Sequence, residues 1–315
     1  MTTASEAKTQ LQQLVTNITS VVLGKIEVVR LGVIALLADG HILLEDVPGV
    51  GKTLLAKAFA KSIDASFHRV QFTPDLLPAD LLGTNVLDQK AGEFRFMPGP
   101  LFSQVVLADE VNRATPRTQS ALLEAMAERQ ITVDGLTRTL QPPFFVIATQ
   151  NPYEFEGTYP LPESQLDRFL IRTELGYPDR QAERDLLIQH RMGEPVDKLP
   201  AVLSSSAVAS LQELVRTVQV SDAIADYILD IVEATRKRND IVLGASTRAA
   251  LGLYRAAQAA ALYDGRDYLV PDDVKNLAVP CLAHRIVAKS IALSGTGDLA
   301  STAIKEILQT IEIPT

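Results

Sequence analysis

The chain has 315 residues, of which 47% are hydrophobic and 22% are charged, and its net charge is -8. This length and composition predict a globular protein with a substantial core and two domains. The acidic balance argues against a broad electrostatic surface for nucleic acid, and a single cysteine, Cys281, excludes an internal disulfide framework. The amino terminus lacks the residue order of a signal peptide, and the apolar stretch 31–38 is too short to span a membrane, so we expect a cytoplasmic protein.

The first half of the chain alternates helical patterns with short apolar runs, as a parallel α/β sheet requires. An aliphatic stripe over residues 11–22 predicts an amphipathic helix that packs on the sheet. Strands are predicted by the apolar runs at 41–45, 67–71, 105–109 and 144–149. Segments 52–63 and 116–130 each follow a strand and place apolar residues at helical spacing, which indicates βαβ organisation.

Two segments interrupt this alternation, at 85–96 and 131–140. Each holds short extended runs around a glycine-containing turn, which in the second segment is Asp134-Gly135. We therefore predict two β-hairpins, for which a surface ribbon without a function is the alternative.

Strand signals fade from Pro178 onward, and helical patterns follow one another. These patterns lie at 179–190, 225–238, 247–263 and 271–286. Pro280 is expected to break or kink the last of these helices. We predict an α/β domain at residues 1–177, which carries both hairpins, and a helical domain at residues 178–315.

The stretch 43–55 ends a strand in a turn that contains two glycines, a lysine and a threonine. The general phosphate-loop pattern G-x-x-x-x-G-K-S/T requires glycine where this chain has Asp46, whereas Lys52 and Thr53 fit the pattern. A strand, a tight turn and a helix in this order aim backbone N–H groups at a phosphate, although a simple turn is the alternative. We predict that Lys52 contacts the β- and γ-phosphates of a nucleotide and that Thr53 binds Mg²⁺. The predicted nucleotide contacts in this stretch are Pro48, Gly49, Val50, Gly51, Lys52, Thr53 and Leu54.

Polar residues end two other predicted strands. Asp109 and Glu110 follow four apolar residues, and buried strands rarely end in adjacent carboxylates without a partner for the charge. We predict that Asp109 holds Mg²⁺ through water and that Glu110 polarises the attacking water, with a pair of solvated acids as the alternative. Asn151 follows a third strand and is a candidate to orient that water, although an asparagine that starts a turn is equally ordinary.

Two arginines further along the chain are also candidate functional residues. Arg168 belongs to a short predicted helix, and Arg248 lies near a helix start capped by Ser246 or Thr247. An arginine at a helix amino terminus opposes the helix dipole, and a phosphate would supply a reason for Arg248 to be there. Taken singly, either arginine is also compatible with an ordinary surface residue.

These residues carry a resemblance to a known family. The chain is similar over nearly its whole length to the MoxR family of AAA+ ATPases, in the stretches 45–53, 71–84, 94–102, 105–135, 148–169 and 244–250. The resemblance implies an αβα nucleotide domain followed by a helical lid, assembled into a ring that is commonly hexameric. The two hairpins resemble the helix-2 insert and the pre-sensor-1 hairpin of such rings.

The same resemblance assigns roles to single residues of this chain. It implies that Asp109 and Glu110 form the Walker B motif, that Asn151 is sensor 1, that Arg168 is the arginine finger and that Arg248 is sensor 2. It also implies an ATP hydrolase that uses ATP and Mg²⁺. The resemblance also implies that the family accepts aspartate or glycine at the position of Asp46.

The resemblance implies a chaperone-like remodelling ATPase that works with a partner containing a von Willebrand factor A domain. The four histidines lie far apart in sequence, so any metal beyond Mg²⁺ would belong to a partner. A nucleic-acid motor would share the ATPase core, but the acidic charge and the absence of tryptophan offer little stacking surface. A small-molecule P-loop kinase is the third alternative, and it would not need an arginine from a neighbouring subunit.

Overall fold

A computed structural model describes residues 3–90, 92–152, 157–189, 193–289 and 299–314 of the chain. Its centre is a parallel sheet of five strands: β1 (Ile42–Glu45), β2 (Phe67–Gln71), β5 (Val105–Asp109), β8 (Phe145–Gln150) and β9 (Ile171–Thr173). Their order across the sheet is β2-β5-β8-β1-β9. The four predicted strands are confirmed. The fifth, β9, escaped prediction because three residues at a sheet edge carry almost no periodicity.

The two faces of the sheet are buried against different sets of helices. Val105 and Leu107 of β5 belong to one hydrophobic core, and Val106 and Ala108 belong to the other. Since successive strand residues point to opposite faces, burial on both faces explains the uninterrupted apolar runs of the sequence. Because all five strands run parallel, the polar residues at their carboxyl ends lie at one edge of the sheet.

The first domain contributes six helices among the described residues. They are α1 (Ala4–Thr19), α2 (Ile26–Leu37), α3 (Lys52–Ser62), α4 (Pro78–Leu82), α5 (Pro116–Glu128) and α6 (Glu163–Leu166). The expectation that the first helix packs on the sheet is wrong, because α1 contacts chiefly α2, α3 and α10, the long helix 247–263 of the second domain. Helix α3 lies between α1 and β5. The apolar stripe predicts a buried helix face but does not identify the surface that covers it.

Both predicted hairpins are present, and they contact each other. They are formed by β3 (Gly83–Asp88) with β4 (Glu93–Pro98), and by β6 (Gln130–Val133) with β7 (Leu136–Thr139). Asn85 Nδ2 donates to Asp134 Oδ2 at 2.5 Å, and the Arg138 guanidinium lies 3.8 Å from the centre of the Phe96 ring. The second hairpin turns at Asp134 and Gly135, which both have positive φ, as the tight hairpin turn requires.

The second domain is helical, with one added ribbon. Its described helices are α7 (Arg180–Gln189), α8 (Ser205–Val215), α9 (Asp222–Lys237), α10 (Thr247–Tyr263), α11 (Pro271–Leu282) and α12 (Leu299–Thr310). Strands β10 (Ile241–Leu243) and β11 (Val287–Ala288) pair as a short antiparallel ribbon that the sequence patterns did not indicate. Helix α11 continues through Pro280 and ends at Leu282, so the proline does not break the helix, and a kink at Pro280 stays a prediction.

Helix α10 contacts α8, α9 and α11 as well as the amino-terminal helices α1 and α2. The buried Gln212 of α8 donates from Nε2 to the Leu36 carbonyl of α2 at 2.7 Å. The core on one face of the sheet therefore runs into the second domain without interruption. The domain boundary between residues 177 and 178 stays a prediction. In the described part of the chain, every helix is too short or too polar to cross a membrane.

Candidate functional site

The loop between β1 and α3 has the backbone of a phosphate cradle. Gly49 and Gly51 have φ values of 87° and 102°, a region that side-chain-bearing residues rarely adopt. Gly51 is the residue that precedes the first turn of α3. The chain thus enters α3 with its first backbone N–H groups unpaired within the helix, which is the arrangement that binds anions.

Lys52 is held over this loop by the loop's own carbonyl groups. Its Nζ donates to the carbonyl oxygens of Asp46 at 2.8 Å and Val47 at 3.2 Å. Burial lowers the pKa of Lys52, and the carboxylates of Asp46, Asp109 and Glu110 oppose that shift. The ammonium group is therefore kept at the mouth of the cradle, next to carboxylates.

Asp46, which departs from the general phosphate-loop pattern, is buried and fully engaged. Its Oδ1 accepts from the Val47 N–H at 2.9 Å, and its Oδ2 accepts from the Gly176 N–H at 2.5 Å. Its own N–H donates to the Gln150 carbonyl at 3.1 Å. Asp46 has no positive φ, so the backbone does not require glycine at this position.

Asp109 ends β5 in a buried position and has three hydrogen-bond donors around it. Arg69 donates to Oδ2 from Nε at 3.2 Å and from Nη2 at 2.7 Å, and the Thr149 hydroxyl donates to Oδ1 at 2.6 Å. The Arg69 guanidinium supplies the partner that a buried carboxylate requires.

Glu110 follows with a left-handed backbone, at φ 57° and ψ 51°. Its N–H donates to the Thr149 hydroxyl oxygen at 2.9 Å, and its Oε2 accepts from Gln71 Nε2 at 2.8 Å. Arg113 Nε lies 3.2 Å from the same carboxylate oxygen. Thr149 thus connects the two acids, since its hydroxyl accepts from the backbone of one and donates to the side chain of the other.

Arg69, Gln71 and Thr149 were missed by sequence reasoning. Arg69 and Gln71 alternate with the buried Val70 on β2, and Gln71 lies in register with Asp109. Polar residues at alternate positions of a strand beside the acidic strand were the available signal. Thr149 offered no such signal, because a threonine inside an apolar strand is ordinary.

A cleft of about 510 Å³ brings the loop and the strand ends together. The predicted residues on its walls are Pro48, Gly49, Val50, Gly51, Lys52, Thr53, Leu54, Asp109, Glu110 and Asn151. Its remaining walls come from the segment 21–25, which connects α1 to α2, from Lys57 of α3, from Arg69 and Gln71 of β2, and from Pro178, Leu186 and Glu194. The cleft therefore lies where the sheet, the amino-terminal helices and the second domain meet.

The two predicted arginines lie elsewhere: among the described residues, the walls of this cleft include neither Arg168 nor Arg248. The sequence pattern places Arg168 on a short helix, but in the structure Arg168 follows α6 and is not part of it. Its Nη1 donates to the Leu123 carbonyl at 2.6 Å. Arg248 is exposed in the first turn of α10. The cap of α10 is Ser246, whose hydroxyl oxygen accepts from the Ala249 N–H at 3.0 Å.

The donor set of the cleft suits a hard cation. Thr53 and Asp109 both lie on its walls and offer hydroxyl and carboxylate oxygens, which Mg²⁺ prefers. Within the described ranges, no group of three or more His, Cys, Asp or Glu residues could hold a metal without other ligands. His41 and His284 are buried structural residues, and His190 lies outside the described residues.

Comparisons with known proteins agree with this fold. A family model described as "ATPase family associated with various cellular activities (AAA)" matches residues 41–171, and one described as "AAA lid domain" matches residues 233–307. A crystal structure of a protein from Cytophaga hutchinsonii that is assigned as an ATPase superimposes with a TM-score of 0.89 at 38% identity, and covers 99% of this chain and 97% of that one.

Three curated relatives match almost the whole chain. The uncharacterised protein YeaC of Bacillus subtilis is 48% identical, over 95% of this chain and 93% of its own length. Chaperone MoxR1 of Mycobacterium tuberculosis is 41% identical over 99% of this chain and 84% of its own length. Protein MoxR of Methylorubrum extorquens is 30% identical, over 94% of this chain and 93% of its own length.

A parallel sheet with a phosphate loop, followed by a lid domain, defines an AAA+ ATPase. Identity to the MoxR proteins extends through both domains and includes the lid. The chain belongs to the MoxR family of AAA+ ATPases.

Proposed function

We propose that this protein hydrolyses ATP in a hexameric ring and couples hydrolysis to the remodelling or maturation of partner protein complexes. The observation that carries the proposal is the meeting of Lys52, Glu110 and Asn151 on one cleft, while Arg168 lies off the walls of that cleft. Arg69 lines the cleft but is bonded to Asp109. The site therefore has its base and phosphate ligands in place but lacks Arg168, and a neighbouring subunit that supplies this arginine would complete it.

In this proposal the loop 46–51 and Lys52 hold the phosphates, and Lys52 exchanges the carbonyls of Asp46 and Val47 for phosphate oxygens. Glu110 accepts the proton of the attacking water, and Asn151 orients that water. Thr149 fixes the side chain of Asp109 relative to the backbone of Glu110 through its hydroxyl.

Mg²⁺ would be held by Thr53 directly and by Asp109 through water, and when bound it neutralises charge on the β- and γ-phosphates. Arg168 of one subunit stabilises the charge that develops on the γ-phosphate of its neighbour, and Arg248 contacts the nucleotide from the lid. These residue roles follow from the family pattern together with the positions described above.

The remodelling role rests on the family. One relative is named a chaperone, and we extend that activity to this chain. A partner with a von Willebrand factor A domain is proposed from the family resemblance alone, and a cytoplasmic location stays a prediction from the sequence. The paired hairpins, with Phe94 and Met97 exposed on the first of them, are the proposed contact with a client protein.

Release of inorganic phosphate from ATP by the purified chain tests the hydrolase, with EDTA as the metal-free control. We expect release without an added acceptor. A kinase would need an acceptor molecule, and stimulation by single-stranded DNA or RNA would favour the nucleic-acid motor instead. The remodelling role is tested separately, by isolating the tagged Glu110→Gln protein with ATP from its native cells. Recovery of the ring without any partner protein would contradict that role.

A further inference from the structure

The short segment that carries Arg168 is held by the lid of its own subunit. Ser246 Oγ donates to Asp167 Oδ2 at 3.0 Å, and Arg285 Nε lies 3.4 Å from Asp167 Oδ1. On the other side of Arg168, the Phe169 carbonyl accepts from Arg285 Nη2 at 2.7 Å. The residues immediately before and after Arg168 are therefore both bonded to lid residues.

Arg285 is built into this contact and is not a surface residue that happens to reach it. It is 6% exposed, although arginine is rarely buried to this degree without partners. A Cβ atom on Gly252 of α10 would lie 2.7 Å from Arg285 Nη1, so the glycine leaves room for the guanidinium. A buried charged group is weak evidence for stability, and here it joins the lid to both ends of the segment 167–169.

Ser246 connects the same segment to the second candidate arginine. Its hydroxyl oxygen caps α10 by accepting from the Ala249 N–H, and its hydroxyl hydrogen is donated to Asp167. Arg248 lies in the first turn of that helix. One hydroxyl group thus joins the start of the helix that carries Arg248 to the residue that precedes Arg168.

We propose that Asp167, Ser246 and Arg285 form a latch through which the lid of a subunit positions the arginine that this subunit offers to its neighbour. The proposal rests on the proposed function, because it requires Arg168 to act across the subunit interface. The three latch residues are positioning residues, since none of them lies on the walls of the cleft within the described part of the chain.

Arg168 is suited to control of this kind because little else holds its side chain. Nη1 donates to the Leu123 carbonyl, and Nε is buried with no hydrogen-bond partner among the described residues. The position of its backbone is set on both sides by the latch. When the lid moves, the segment 167–169 moves with it or loses these bonds, and the direction of the guanidinium changes in either case.

Mixed rings test the latch. The reference mixture is Arg168→Ala with Glu110→Gln in equal amounts. A working interface needs an Arg168→Ala subunit, whose Glu110 is intact, beside a Glu110→Gln neighbour, whose Arg168 is intact. Half of the sites times half of the neighbours gives about one such interface in four. We expect this mixture, after subunit exchange, to exceed the mean activity of the two separate variants. If it does not, the action of Arg168 in trans is wrong, and the latch falls with it.

The test variant is Asp167→Asn, which keeps the side-chain shape but removes the charge. We expect ATP affinity by calorimetry to be unchanged and turnover in the homogeneous ring to fall by roughly 10²-fold, the effect of a misplaced catalytic group. Mixed with Glu110→Gln it should recover activity. Mixed with Arg168→Ala it should not, because both changes damage the arginine that a subunit donates.

The opposite pattern would overturn the latch while leaving the proposed function intact. If Asp167 supported only the site of its own subunit, Asp167→Asn would recover with Arg168→Ala and would fail with Glu110→Gln. Unchanged turnover of Asp167→Asn would overturn it as well.

If Asp167→Asn does not fold, Ser246→Ala takes its place in the same mixtures. Its matched control is Ser221→Ala, which removes an equivalent cap from α9. Each variant loses one helix cap, so their effects on helix stability are matched. Only Ser246→Ala should recover activity with Glu110→Gln and fail to recover it with Arg168→Ala. The same result for Ser221→Ala would contradict the latch.

Discussion

The Asp46 carboxylate accepts a hydrogen bond of 2.5 Å from the backbone N–H of Gly176. Asp46 opens the phosphate loop, and Gly176 lies between the last strand of the sheet and the first helix of the second domain. The residue that departs from the general phosphate-loop pattern therefore joins the nucleotide cleft to the connection between domains.

This contact predicts that Asp46→Gly, which restores the general pattern, destabilises the protein. The N–H groups of Val47 and Gly176 would lose a charged acceptor, and we expect the free energy of unfolding to fall by about 1.5–3 kcal/mol. Urea denaturation measures the change. Asp46→Asn is the matched control, because its amide oxygen still accepts one hydrogen bond and the loss should be smaller. An Asp46→Gly protein as stable as the parent would show that the contact contributes nothing.

We expect Lys52→Ala to abolish tight ATP binding and to leave the fold intact, because the ammonium group meets phosphate and takes no part in the apolar core. Calorimetric titration with ATP measures binding, and circular dichroism checks the fold. Lys61→Ala is the matched control: it removes a lysine from the same helix whose Nζ donates to the Asp197 carbonyl and does not line the cleft. Unchanged ATP affinity in Lys52→Ala would contradict the phosphate assignment.

Glu110→Gln should bind ATP normally and hydrolyse it more slowly, by a factor of roughly 10² to 10⁴ if Glu110 is the general base. Steady-state phosphate release and equilibrium binding separate the two effects. Glu124→Gln, at an exposed position of α5, is the control and should behave as the parent protein. Near-normal turnover of Glu110→Gln would assign the pair of acids to an ordinary solvated strand end.

Stability should decrease as the pH falls below about 6.5, because two histidines are buried in the neutral form. Burial lowers the pKa of His41 and of His284 well below the usual value, and the charges of Arg129 and Arg285 lower them further. The unfolded chain then binds protons that the folded chain does not, so acid favours unfolding. Each histidine can contribute up to about 1.4 kcal/mol per pH unit.

Urea midpoints between pH 7.5 and 5.5 measure this dependence. His41→Asn should reduce the slope, because the Nδ1 atom of His41 accepts from the Val146 N–H and cannot carry a proton there without losing that bond. His68→Asn, at an exposed position, should leave the slope as it is. Equal slopes in the parent and in His41→Asn would remove His41 from the explanation.

ATP should favour ring assembly, since a site completed by a neighbour's arginine links nucleotide binding to association. Sedimentation velocity with ATP and Glu110→Gln, which prevents turnover, measures the shift towards the larger species. Arg168→Ala added to this background should weaken the shift. The same distribution of species with and without ATP would count against the linkage.

Local patterns were sufficient for much of this protein. The four longer strands, the two hairpins and the order of strand, loop and helix around Lys52 follow from apolar periodicity and turn residues, which act over a few neighbours in sequence. The same patterns place Asp109, Glu110 and Asn151 at the carboxyl ends of parallel strands, and parallel strands bring those ends to one edge by geometry alone.

Tertiary structure decided the features that depend on contacts between distant segments. Arg69 of β2 reaches Asp109 at the end of the adjacent strand β5, and the edge strand β9 exists only because β1 offers it a partner. The bonds from Asp46 to Gly176 and from Ser246 to Asp167 join residues that are distant in sequence. Periodicity cannot indicate such pairs, because a side chain's partner depends on how the whole chain packs and not on its neighbours in sequence.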